Sequence, residues 1–179
     1  HNANDRLFSA SGKNYGSNAL ATTAYDDGYT ASGMYYCNGT GGEGRRYIAI
    51  NNVEAGDKIV VYMASSNAAN GTLLFKYLGE DNEQVEKASF TNKGAKYEFV
   101  AKYSGSYKVY TDAAAGKPIY NRIVGIPGVA VSGTIDGAQL SGYKVMFKDE
   151  ANGITYDADI KGNTFTATLA AGCNYTAVL

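Results

Sequence analysis

From residue 46 onward the chain breaks into short runs of β-branched and aromatic residues, each closed by a turn rich in Gly, Asn or Asp. Such runs occur at 46–50, 58–63, 72–78, 96–103, 106–110 and 118–124. Val, Ile, Thr and Tyr suit a pleated, half-buried surface, and glycine supplies the turn conformations, so the runs read as successive antiparallel strands. Twenty-two glycines and sixteen tyrosines against two prolines agree with that reading. Strands at this spacing make a sandwich, here of jelly-roll type.

Gly125-Ile-Pro-Gly128 punctuates the pattern, and a second, shorter series follows at 129–135, 143–147, 155–160, 164–169 and 175–179. The expected organisation is therefore an all-β chain: an antiparallel β-sandwich over residues 1–125, then a smaller Ig-like β-sandwich unit over 126–179. The second unit is short for an independent domain, so it is either truncated or docked on the first. Residues 1–44, with Asn, Ser, Gly and Thr scattered among tyrosines, read as long surface loops with short strands. In the second unit Tyr143, Phe147 and Tyr156 are expected in the core.

A formal charge of −1 and a pI near 5.8 leave no field of one sign, which argues against nucleic acid or a membrane surface as partner. No apolar run approaches the ~20 residues that span a bilayer. No signal peptide precedes the first residues, and the composition is that of an exported, processed bacterial module. Cys37 and Cys173 lack a C-x-x-C partner and are either one long-range disulfide or two thiols.

The candidate chemistry is sparse. His1 is the only histidine, which removes a Ser-His-Asp triad, a Cys-His pair and a histidine-ligated metal. Gly39-Thr-Gly-Gly-Glu-Gly44 matches G-x-G-x-x-G, but it leads into a strand rather than a helix and so reads as a loop, not a nucleotide cradle. Asp26, Asp27, Glu43, Glu80, Asp81 and Glu83 stand in loop contexts with no apolar pocket to raise a carboxyl pKa, so a glycosidase-type acid pair is not expected. Asp26-Asp27-Gly28, with Asp5 or Glu43, offers oxygens to a structural Ca²⁺, and an ordinary Asp-Gly turn accounts for the same residues.

Binding chemistry is richer. If Tyr107 and Val109 point inward, strand alternation sends Lys108 and Tyr110 outward; Ile119 and Ile123 inward would send Tyr120 and Arg122 outward. Lys108, Tyr110, Tyr120 and Arg122 would then share one cationic and aromatic face, with the alternative that they are solubilising charges and cross-strand packing pairs. Arg45, Arg46 and Lys117 make a second, loop-borne candidate, and Tyr35 and Tyr36 could extend either. Tyrosine rings against sugar faces, with Lys or Arg for a carboxylate, suit an acidic glycan.

Two resemblances add to this. Val131-Ser-Gly-Thr-Ile135, Gly142-Tyr-Lys-Val-Met-Phe147, Phe165-Thr-Ala-Thr-Leu-Ala-Ala-Gly172 and Tyr175-Thr-Ala resemble carboxypeptidase-regulatory-like repeats of secreted bacterial proteins. Arg46-Tyr-Ile-Ala-Ile50, Tyr103-Ser-Gly-Ser-Tyr-Lys-Val-Tyr110 and Pro118-Ile-Tyr-Asn-Arg-Ile123 resemble the β-sandwich modules of bacterial pectate lyases, similar to carbohydrate-binding module family 77. The resemblance implies a secreted, monomeric, non-catalytic module that targets a catalytic domain of the same polypeptide to pectic polysaccharide. The competing expectation is a structural or adhesive surface module that makes protein contacts.

Overall fold

A computed structural model describes residues 7–9, 15–37, 39, 41–44, 46–65, 70–91, 93–112, 118–136 and 142–179. The first ten strands are β1 (Leu7–Ser9), β2 (Tyr15–Ala24), β3 (Thr30–Cys37), β4 (Tyr47–Val53), β5 (Lys58–Ser65), β6 (Gly71–Tyr77), β7 (Val85–Phe90), β8 (Ala95–Val100), β9 (Gly105–Thr111) and β10 (Pro118–Ile126). They form two five-stranded antiparallel sheets, ordered β1-β4-β9-β6-β7 and β2-β3-β10-β5-β8. The chain passes repeatedly from one sheet to the other, so β9 and β10, neighbours in sequence, lie in different sheets. Among the described residues no helix is long and apolar enough to cross a membrane.

Alternation along each strand decides what is buried. Ile48, Ile50, Leu73, Phe75, Tyr107 and Val109 face inward from the first sheet and meet Ile59, Val61, Met63, Phe99 and Tyr120 of the second in one core. Phe75 is the hub, stacked on Tyr107 at 4.4 Å between ring centroids and on Phe99 at 5.1 Å. Where the sheet edges β7 and β8 converge, buried Gln84 joins the layers: its Nε2 donates to Val100 O at 2.7 Å, and its Oε1 accepts Lys102 N–H at 2.8 Å.

The remaining strands are β11 (Val129–Thr134), β12 (Met146–Asp149), β13 (Ile154–Asp157), β14 (Asp159–Lys161), β15 (Thr164–Leu169) and β16 (Thr176–Val178). They form two three-stranded sheets, β11-β15-β14 and β13-β12-β16. Ile154, Tyr156, Leu169 and Ala170 are buried between them, and Val100, from the end of β8, joins that same cluster. The turn before β5 supports the junction: Asp57 Oδ1 accepts Gly128 N–H at 3.1 Å. At Gly56, with φ +89°, a Cβ would come within 3.2 Å of Thr168 O, so the close approach and the left-handed backbone both call for glycine there.

Several expectations change. Residues 15–37, read as mainly loop, carry the long strands β2 and β3. Tyr143 is 59% exposed rather than core, because it lies ahead of β12 and outside the packed strands, whereas Tyr156 is buried and Phe147 partly so. Cys173 carries a free thiol; the Cys37 side chain lies outside the description.

Candidate functional site

The outer face of the β5/β10 sheet is built around an irregularity at Asn121. The β10–β5 register runs Tyr120↔Met63 and then Arg122↔Tyr62, so Asn121 is an extra residue, a β-bulge. The bulge resets alternation. Tyr120 and Ile123 both pack toward the main core, Ile119 pairs with Ala64, and Arg122 emerges on the solvent face opposite Tyr62. The expected outward position of Tyr120 is thereby corrected: it is 3% exposed and belongs to the core.

The turn between β2 and β3 folds onto this face. Gly28 adopts φ +84°, Tyr25 N–H donates to Tyr29 O at 2.8 Å, and Asp27 Oδ1 accepts Tyr29 N–H at 3.1 Å, an Asx-type closure. Asn121 anchors the assembly. Its Oδ1 accepts the Tyr25 hydroxyl at 2.6 Å, and its Nδ2 donates to Gly33 O at 2.7 Å. Tyr25 and Tyr29 stack at 5.6 Å, and both meet Tyr62 edge-on at 5.1 and 5.0 Å. Over this triad lies the Arg122 guanidinium, 4.9 Å from the Tyr29 centroid and 5.5 Å from that of Tyr62.

The charges around it are unequal in their pairing. Asp27 Oδ2 accepts the Tyr62 hydroxyl at 2.6 Å and lies 3.9 Å from Lys96 Nζ; the Tyr62 hydrogen bond above all holds this carboxyl below its ordinary range. Glu98 is shared by Lys96 at 3.0 Å and Lys58 at 3.4 Å. Arg122 is exposed, and no carboxylate among the described residues lies within ion-pair distance of it.

Burial pushes the hydroxyl pKa values of Tyr25, Tyr107 and Tyr156 well above the ordinary phenol range. A folded pKa above the unfolded one means stability fully present below the unfolded value, roughly pH 10, and lost as pH rises through the folded values. Spectrophotometric titration is therefore expected to show a class of tyrosines that ionises only as the far-ultraviolet circular dichroism collapses. Ionisation of every tyrosine in one step on an intact fold would contradict this.

The opposite outer face, on the β4/β9/β6 layers, carries Lys108 and Tyr110. The register Tyr47↔Tyr110↔Leu74 and Ala49↔Lys108↔Lys76 sets Tyr47, Lys108, Tyr110 and Lys76 together. Lys108 Nζ lies 4.3 Å from the Tyr47 centroid and donates to Glu43 O at 3.5 Å. Lys76 Nζ pairs with Glu43 Oε1 at 2.7 Å, and the Tyr110 hydroxyl donates to Glu43 Oε2 at 3.4 Å. The Lys76 hydrogen bond holds the Glu43 carboxyl below its ordinary range. The expected single face shared by Lys108, Tyr110, Tyr120 and Arg122 is thus corrected: β9 and β10 belong to different sheets, so Lys108 and Tyr110 stand on one side of the sandwich and Arg122 on the other.

Of the loop-borne residues, Arg46 lies against the turn before β4, where a Cβ on Gly39 would meet its guanidinium at 3.1 Å. Arg45 and Lys117 lie outside the described residues. Tyr35 packs against the main core. Asp26 is exposed, both Asp27 oxygens accept hydrogen bonds, Glu43 stands across the sandwich, and Asp5 lies outside the description. Among the described residues no three His, Cys, Asp or Glu side chains come together. Tyr25, Tyr29, Tyr62 and Asn121 are the site residues that sequence reasoning missed. The Asp27-Gly28 turn signal placed Tyr29 in a loop, and the outward member of the β5 alternation is Tyr62.

No protein-family model matches the chain, and no curated protein matches it. Among solved structures, a family 61 carbohydrate-binding module in complex with β-1,4-galactotriose matches at TM-score 0.41 and 8% identity, over 68% of this chain and 86% of that one. A family 6 module of lichenase 5A from Cellvibrio mixtus, in complex with cellotriose, matches at 0.36 and 18%, over 68% and 90%. The C-terminal family 6 module of a marine laminarinase from Zobellia galactanivorans matches at 0.34 and 13%, over 65% and 96%.

Proposed function

We propose that this chain is a non-catalytic, secreted module that binds acidic plant polysaccharide, of homogalacturonan type, and holds a catalytic domain of the same polypeptide on that polymer. The observation that carries the reading is the exposed Arg122 guanidinium seated on the rings of Tyr29 and Tyr62 without a carboxylate partner among the described residues. A planar guanidinium held against aromatic faces presents its N–H fork to a carboxylate in paired, charge-assisted hydrogen bonds. The half-buried Tyr29 ring borders the guanidinium and leaves part of its edge to meet a bound hexuronate. Action is by proximity: tethering raises the local concentration of substrate for the attached enzyme and leaves bond cleavage to it.

Affinity electrophoresis tests the reading. The chain is expected to be retarded in native gels containing polygalacturonate at low salt, released as salt rises through the screening range, and little affected by fully methyl-esterified pectin. Unretarded migration at low salt would overturn it, and binding to a protein surface instead would favour an adhesive module.

A further inference from the structure

Glu43 occupies, on the sandwich face opposite Arg122, the place a ligand carboxylate would take. Its carboxylate reaches Lys76 at 2.7 Å through one oxygen and the Tyr110 hydroxyl at 3.4 Å through the other. Lys108 holds the Glu43 main chain through its carbonyl and lies over the Tyr47 ring. One ammonium group and a phenol donor thus meet the Glu43 carboxylate, a second ammonium stands beside it over an aromatic ring, and the segment that brings it, Gly41-Gly-Glu-Gly44, is nearly all glycine. Glu43 remains 44% exposed, so the pair is open to solvent and to competition. A surface ion pair of this kind is weak, and a polymer already bound at high local concentration can displace it.

We infer that Lys76, Lys108, Tyr110 and Tyr47 form a second uronate-binding site, closed in the free chain by Glu43 acting as an internal surrogate for the ligand. The inference rests on the acidic-glycan reading for its ligand class, but on different residues from the Arg122 face. Because the two faces belong to opposite sheets, opening the second site turns one chain into a bridge between two polysaccharide strands.

Calorimetric titration with a short oligogalacturonate tests it. Glu43→Ala is expected to raise the stoichiometry from about one to about two per chain, and the neutral isostere Glu43→Gln to do the same. Lys76→Ala and Lys108→Ala placed in the Glu43→Ala background are expected to remove the second equivalent and leave the first. In an Arg122→Ala background, which lacks the first site, Glu43→Ala is expected to restore binding that depends on Lys76 and Lys108. Failure of both Glu43 variants to add an equivalent, with circular dichroism unchanged, would overturn the inference while leaving the Arg122 reading intact. A gained, Lys76-dependent equivalent alongside normal binding by Arg122→Ala alone would uphold it and overturn the other.

Discussion

Arg122→Ala is expected to abolish retardation on polygalacturonate at low salt and to weaken binding of a short oligogalacturonate by ten- to a hundredfold. A hydrogen bond to a charged group contributes about 1.5–3 kcal/mol, and each 1.4 kcal/mol is about tenfold in affinity. Little of that loss can come from misfolding, because Arg122 is exposed and its neighbours on β10, Tyr120 and Ile123, hold the strand in the core without it. Arg122→Lys separates charge from geometry. It keeps the positive charge but loses the planar fork and the fit over Tyr29 and Tyr62, so an intermediate loss is expected. Tyr29→Ala removes the ring that seats the guanidinium and is expected to weaken binding by a smaller factor through positioning. Affinity of Arg122→Ala equal to that of the unaltered chain would remove Arg122 from the site and with it the basis for an acidic ligand there.

Strand alternation carried much of this architecture. At 106–110 the sequence Ser-Tyr-Lys-Val-Tyr placed Tyr107 and Val109 in the core and Lys108 on the surface, as found, because β9 is central in its sheet and has one dry and one wet face. Two features were beyond local reading. Alternation assumes one residue per step, and the Asn121 bulge inserts an extra one, so a single phase that set Arg122 outward and Ile123 inward put Tyr120 on the wrong face. Which sheet a strand joins depends on pairing across the whole chain, and β10 pairs with β3 and β5 rather than with β9. A face drawn from adjacent strands was therefore split in two. β2 was hidden by its composition: Tyr-Gly-Ser-Asn-Ala-Leu-Ala-Thr-Thr-Ala lacks the β-branched density that marks a strand. Arg122 was legible as a candidate, but its partners Tyr29 and Tyr62 come from a turn and a distant strand, a convergence only tertiary structure supplies.

Tyr107→Ala is expected to be among the most destabilising single changes in the chain, at about 3–5 kcal/mol, as large-to-small substitution at fully buried aromatics usually is. Tyr107 has no exposed surface and stacks on Phe75, the ring that joins the two sheets. Its hydroxyl adds a polar component: it donates to Tyr103 O at 2.8 Å, accepts Tyr103 N–H at 3.1 Å and lies 3.0 Å from Gln84 Oε1. Tyr107→Phe keeps the ring stack and removes only that component, so about 1–2 kcal/mol is expected. Gln84→Leu leaves Val100 O and Lys102 N–H without their side-chain partner where the β7 and β8 edges meet. Because Tyr107 and Gln84 touch, the double variant Tyr107→Phe with Gln84→Leu is expected to cost less than the two single losses added together, with a coupling of about 0.5–3 kcal/mol. Urea unfolding followed by circular dichroism measures all four. A Tyr107→Ala loss under about 1 kcal/mol would mean that the Phe75–Tyr107 stack is not what holds the sheets together. Strict additivity in the cycle would mean that Gln84 clasps the sheet edges independently of the Tyr107 hydroxyl.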